Sequence, residues 1–171
     1  MSNSQLMMQG FTSGLTMVQT PTIYCLVKGK GEGNMPLNAF DQALLNAGVG
    51  DTNLVRMSSI VPPSCKEVER VLLPKGGLIP IAYGSLSSTT QGQIISTAVA
   101  IGIPEDPSLP GVIMEHEDEL PLVQVEATVR QMTIDAFAYR NRALKEVKSI
   151  GIEHVVERAG SVFAAIVLWY E

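Results

Sequence analysis

The sequence predicts an α+β fold with largely antiparallel sheets, on three observations. Two segments carry helical periodicity against about seven strand-like runs, and the two kinds of element do not alternate as βαβ units would. The runs are separated by turns rich in Ser, Thr, Gln and Pro. A length of 171 residues, with no internal repeat and no low-complexity linker, suits one domain over residues 1–171. Such a chain can bury roughly two-thirds of its unfolded surface without covalent staples.

In chain order, residues 1–20 are polar and Met-rich without sustained period, and read as a loosely held leader. Thr22 to Val27 is β-branched and aromatic enough for a first strand. Gly29, Gly31 and Gly33 follow and read as a flexible turn; no Gly-Lys-Ser/Thr completes a phosphate loop. Asn38 can cap a short helix from Ala39 to Asn46, with Phe40, Ala43, Leu44 and Ala47 on one face and Gly48 as the stop. A strand through Ser58-Ser59 comes next and ends at Pro62-Pro63, since neither proline can donate to a ladder. Residues 64–77 read as a connector, followed by strands at Leu78 to Ser85, Gln93 to Ile103 and Gly111 to Glu117. A long helix is predicted from Leu122 to Val147, with Val125, Val129, Met132, Ala136 and Tyr139 in helical steps and Lys145 and Lys148 near its carboxyl end. Two last strands, Ile150 to Glu157 and Ser161 to Tyr170, are joined by an Ala159-Gly160 turn.

Composition narrows the function classes. Apolar residues make up 46% and charged ones 17%, with a mean hydropathy of +0.20, which points to apolar surface covered by other subunits. A net charge of −5 gives no reason to expect a nucleic-acid partner. Cys25 and Cys65 form neither a disulfide framework nor a zinc motif, and His116 and His154 are too far apart for a local metal site. The longest apolar run, Phe163 to Tyr170, falls far short of the ~20 residues of a membrane helix. The first 27 residues contain no Lys or Arg, so a cytoplasmic location is expected, with the thiols reduced.

Chemistry is suggested by one short stretch, Asn53-Leu54-Val55-Arg56-Met57-Ser58-Ser59-Ile60-Val61-Pro62-Pro63. Serine pairs usually lie in polar loops, whereas this one lies inside an apolar run before a double proline. A pair held in extended backbone there implies a peptide bond fixed in one geometry, as self-cleavage by a serine hydroxyl requires.

This stretch resembles the processing site of the pyruvoyl-dependent arginine decarboxylases. The likeness also covers Met35 to Asp41, Leu44 to Gly50, Ile81-Ala82-Tyr83-Gly84, Gly111 to Glu115 and Phe163 to Tyr170, in the same order and at compatible spacing. It implies a four-layer α-β-β-α sandwich. It further implies that the Ser59 hydroxyl attacks the Ser58 carbonyl, giving a β chain of residues 1–58 and an α chain of 59–171. Elimination and hydrolysis would convert residue 59 into a pyruvoyl group with loss of ammonia. That group is the electron sink which pyridoxal phosphate supplies in other decarboxylases; no phosphate cradle with a Schiff-base lysine is evident, and no metal is required.

The resemblance assigns further roles. Asn53 matches a position linked to processing, where a donor would stabilise the oxyanion; by itself it also reads as a turn asparagine. Glu115 matches the acid that protonates the α-carbon after carbon dioxide leaves; in isolation it reads as an exposed strand end. Asp41 matches the position that receives the substrate guanidinium, where a carboxylate accepts two parallel hydrogen bonds; alone it is a first-turn helix acid. Leu37 and Gly50 match pocket-wall positions and could equally be core and turn residues, while Tyr83 and Trp169 read as core. The implied reaction is L-arginine to agmatine, for polyamine synthesis or acid resistance, in a homotrimer or a multiple of trimers with sites between neighbours. A histidine decarboxylase with the same cofactor and a non-catalytic paralogue are the alternatives. Asp41 and the block around it favour the first over the histidine enzyme, and the presence of both Ser59 and Glu115 speaks against the paralogue.

Overall fold

A computed structural model describes residues 19–171. Most of the expected leader, residues 1–18, therefore lies outside the described residues. The described chain contains β1 (Ile23–Gly33), α1 (Pro36–Asn46), β2 (Asn53–Arg56), β3 (Ile60–Val61), β4 (Lys66–Glu67), β5 (Leu78–Ser88), β6 (Ile94–Pro104), β7 (Gly111–Asp118), α2 (Leu122–Tyr139), β8 (Leu144–Val155) and β9 (Ala159–Trp169). The strands form two sheets, ordered β2-β5-β9-β1-β4 and β3-β7-β6-β8. All pairings are antiparallel except the short outer ones of the first sheet, β1 with β4 and β2 with β5. The α+β expectation holds.

Alternation along the central strands makes the layers. On β9, Ala164, Ile166 and Leu168 point to the second sheet and pack with Val99, Ile101 and Ile113. The intervening Phe163, Ala165 and Val167 face α1 with Ala43, Ala47 and Ile81. On β6, Ala98 and Ala100 turn the other way, onto Val125 and Val129 of α2. Each helix covers the outer face of one sheet, and the sheets pack on each other, giving four layers α-β-β-α. Strands buried on both faces explain why Phe163 to Leu168 is apolar at every position.

The structure corrects several local expectations. The glycines after Val27 do not break β1; the strand runs on to Gly33. They are on the face that meets α1, and a Cβ at Gly29 would fall 2.1 Å from the Ala43 carbonyl oxygen, one at Gly31 2.4 Å from that of Ala39. The repeat of glycine at every second residue is thus a groove for a helix. That helix begins earlier than expected, at Pro36 in its first turn, with Met35 at the cap position and no side-chain cap bond, so Asn38 lies inside it.

The second helix stops at Tyr139 instead of Val147, because Asn141 adopts a left-handed conformation (φ 48°) and the chain turns into β8. Lys145 and Lys148 accordingly belong to a strand. Val125, Val129 and Ala136 are buried as expected, joined by Thr133 and Phe137, whereas Tyr139 is 83% exposed. The final turn is Val156 to Arg158, with Ala159 and Gly160 already in β9. The connector 64–77 holds only the two-residue strand β4.

Candidate active site

The stretch around Ser58-Ser59 is not one strand. β2 lies in the first sheet beside β5, and the Met57 N–H still donates to the Ile81 carbonyl at 2.9 Å. Three residues later β3 pairs with β7 of the second sheet, with Ile60 opposite Val112. The serine pair is therefore the crossover between sheets, and Ser59 is not extended but has φ 69°. A non-glycine residue in this region costs on the order of 1–3 kcal/mol and persists only where its surroundings impose it. Here ladders in two different sheets hold both flanks, and the Ile113 N–H donates to the Ser59 carbonyl at 2.8 Å.

Glu115 meets this crossover from β7. Side chains alternate there, so Met114 packs toward α2 while Ile113 joins the core between the sheets, and Glu115, two residues on, shares the face of Ile113. Gly84 on β5 lies across from it, and an added Cβ there would fall 2.5 Å from Thr97 Oγ1 and 3.0 Å from Glu117 Oε2, but at an ordinary 3.6 Å from the Glu115 Cβ. The Ser59 hydroxyl donates to Glu115, at 3.2 Å from Oε2 and 3.4 Å from Oε1. Arg56 brings Nη2 to 3.5 Å from Oε1. Burial pushes the Glu115 carboxyl up from its ordinary range, against the opposing pull of the Ser59 hydroxyl and Arg56.

Ser58, Ser59 and Glu115 line a shallow cavity of about 390 Å³ with Met57, Met132 and Arg140. The other expected site residues are elsewhere in the chain. Leu37 and Asp41 are exposed on α1, with Leu37 beside Phe40 and Tyr83 in a separate depression. Gly50 packs under Leu45 beyond the helix, where a Cβ would meet Leu45 Cδ2 at 2.7 Å. Asn53 opens β2 and donates from Nδ2 to the Gly76 carbonyl at 2.8 Å. None of these four lines the Ser59 cavity. Trp169 and Tyr83 pack against the core beneath α1, as expected.

Arg56 was missed by sequence reasoning, although it is the one charged residue between Leu54 and Pro63. Among the described residues, no group of three or more His, Cys, Asp or Glu could hold a metal ion, and no helix is long and apolar enough to cross a membrane.

Comparison with known proteins gives one consistent result. A model of the family "Pyruvoyl-dependent arginine decarboxylase (PvlArgDC)" matches residues 23–171. The chain is 48% identical over 151 residues to the pyruvoyl-dependent arginine decarboxylase of Methanocaldococcus jannaschii, covering 88% of this chain and 92% of that one. Identity is 42% over 153 residues to the enzyme of that name from Methanococcus vannielii, covering 90% and 93%. With that of Pyrococcus abyssi it is 33% over 153 residues, covering 88% and 96%. A serine at a strained crossover against a half-buried carboxyl, in a sandwich matched over nearly its whole described length, leaves one conclusion: the chain belongs to the pyruvoyl-dependent arginine decarboxylase family.

Proposed function

We propose that the chain cleaves itself between Ser58 and Ser59 and, with the pyruvoyl group so formed at residue 59, decarboxylates L-arginine to agmatine. The observation that carries this is the contact of the Ser59 hydroxyl with Glu115 at a left-handed residue whose carbonyl is already anchored by Ile113.

In the processing step the Ser59 oxygen bonds to the Ser58 carbonyl carbon, and the peptide C–N bond breaks to leave an ester and a free amine. The hydroxyl proton ends on the amine nitrogen that leaves the Ser58 carbonyl. Loss of the Ser59 α-proton then expels Ser58 as a carboxylate, and water replaces the nitrogen, which departs as ammonia. One water enters and one ammonia leaves. Asn53 is our choice for the donor to the oxyanion of the first step; it does not line the Ser59 cavity of its own chain, so we assign this role to the Asn53 of a neighbouring subunit, whose second amide N–H is not used by the bond to Gly76. The resulting chains are residues 1–58 and 59–171 of a single domain.

The surroundings fit such a group. The carbonyl of residue 59 survives processing as the amide of the α chain, and the Ile113 N–H holds it. Bound there, the group supplies the sink for the electron pair left when carbon dioxide departs. Glu115 delivers a proton to the α-carbon of the substrate, a task for which burial keeps its carboxyl protonated further toward neutral pH. Asp41 receives the substrate guanidinium, with Leu37 and Gly50 forming the wall of its pocket. Because these residues do not share the Ser59 cavity within one chain, we place the complete site between neighbouring subunits of a trimer or a multiple of trimers. Leu37, 76% exposed on α1, supports a covered surface there. A cytoplasmic location agrees with two unpaired thiols.

The direct test is chemical. Fully split protein given L-arginine should release carbon dioxide and agmatine, and should leave L-histidine untouched. Split protein that makes no agmatine refutes the substrate assignment.

A further inference from the structure

The proposed roles leave Arg56 without a task, yet its guanidinium is fixed in place. Nη2 donates to the Tyr83 carbonyl at 3.0 Å, and the guanidinium carbon lies 4.8 Å above the Tyr83 ring. That ring is itself packed on Phe163, with centroids 5.2 Å apart. From this seat on the first sheet, the same nitrogen reaches across to 3.5 Å from Glu115 Oε1 on the second. The Arg56 side chain is 54% exposed and that of Glu115 only 21%. A pair so placed adds little to stability. Its consequence falls on the buried partner, whose ionised form gains a cation that water screens only in part.

We propose that Arg56 is a positioning residue for Glu115: seated on Tyr83, it aims the carboxyl at residue 59 and sets the pH at which that carboxyl gives up its proton. The inference rests on the role given above to Glu115. Other groups also face this carboxyl. Ser59 approaches from the crossover, Glu117 lies two residues along β7, Gly84 comes from β5, and Arg140 at the end of α2 lines the same cavity. Burial and the charge of Glu117 favour the protonated carboxyl, while Ser59 and Arg56 favour the ionised one. Processing removes the Ser59 hydroxyl. In the mature enzyme Arg56 is then what remains of that pair, and the proton donor is governed by a residue of the other sheet.

Two measurements decide it. In the split enzyme, Arg56→Gln should move the alkaline limb of the kcat/KM pH profile upward by about 0.5–1 pH unit, a shift typical of one screened neighbouring charge. Arg56→Lys keeps the charge and should restore most of the wild-type limb. An unmoved limb in Arg56→Gln, or an equal displacement in Arg56→Lys, overturns the proposal. Should Arg56→Gln fail to split, the Glu115 side-chain carboxyl is titrated by carbon NMR in the uncleaved Ser59→Ala chain, with and without Arg56→Gln. A higher titration point without Arg56 supports the inference, and coincident curves refute it. If instead the limb persists in Glu115→Gln, the donor assignment has failed, while the NMR comparison still judges the action of Arg56.

Discussion

Ser59 and Glu115, 56 positions apart, meet where the chain passes from one sheet to the other, with the serine oxygen 3.2 Å from a carboxylate oxygen. Ser59 is carried by the crossover between β2 and β3, and Glu115 by the face of β7 that it shares with Ile113.

Replacing Glu115 by Gln removes a titratable proton while keeping the shape. If the role of Glu115 is confined to turnover, the chain still splits, and kcat drops about 10²–10⁴-fold, the range for loss of a general acid. The folded carboxyl binds its proton more tightly than the unfolded one. Donor function, and the stability linked to that proton, are therefore present at low pH and decline as pH rises through the raised value. The alkaline limb should vanish in Glu115→Gln. Turnover at the wild-type rate, measured by agmatine release, removes Glu115 from the mechanism.

Gly31 distinguishes a helix groove from a flexible turn. An alanine Cβ there would sit 2.4 Å from the Ala39 carbonyl oxygen and 2.8 Å from the Ala43 nitrogen, both backbone atoms that can move only if α1 moves. Gly31→Ala should destabilise by about 1–3 kcal/mol, read as a lower denaturation midpoint. In a free turn the same change would be neutral or slightly stabilising.

Glu32 clamps the end of β1 to the last turn. Its carboxylate accepts the N–H groups of Glu157 at 2.9 Å and Arg158 at 3.1 Å, and lies 2.6 Å from His154 Nε2. Burial opposes its charge, but these partners outweigh burial and hold the carboxyl below its ordinary range. The stabilisation is therefore present above the unfolded pKa and is lost as pH falls through the folded value. Glu32→Gln should cost about 1–2 kcal/mol at neutral pH and converge with wild type in acid, in paired urea titrations.

The proposal that sites are shared between subunits predicts complementation. Chains carrying Asp41→Ala and chains carrying Glu115→Gln are each expected to be inactive as homo-oligomers. Co-expressed, they form mixed assemblies in which some sites draw both intact residues from different chains, so part of the activity returns. No recovery in verified mixed oligomers would place the whole site within one chain.

Much of the architecture was legible in local composition, because strands buried on both faces, such as β6 and β9, are made mostly of apolar residues. What was not legible depends on partners distant in sequence. Gly29 and Gly31 resemble a turn until α1 is known to lie on them. The run through Ser59 keeps strand composition while changing sheets, so its left-handed residue left no local mark. The overrun of α2 came from apolar residues that continue past Tyr139 and serve a strand instead, Val147 packing back onto the helix it seemed to extend. Ser59 and Glu115 were joined only through the resemblance to a family. Arg56 stood in view as a lone charge in an apolar run, but nothing local said what it faced.

The central claim is that the Ser58–Ser59 bond is broken by the Ser59 hydroxyl to leave a ketone. Intact mass under denaturing conditions tests it most directly. The account predicts two species, residues 1–58 with a normal carboxyl end and residues 59–171 beginning with a pyruvoyl group, and one uncut chain for Ser59→Ala. An active preparation in which that bond is whole, or a Ser59→Ala chain that still divides there, would contradict it.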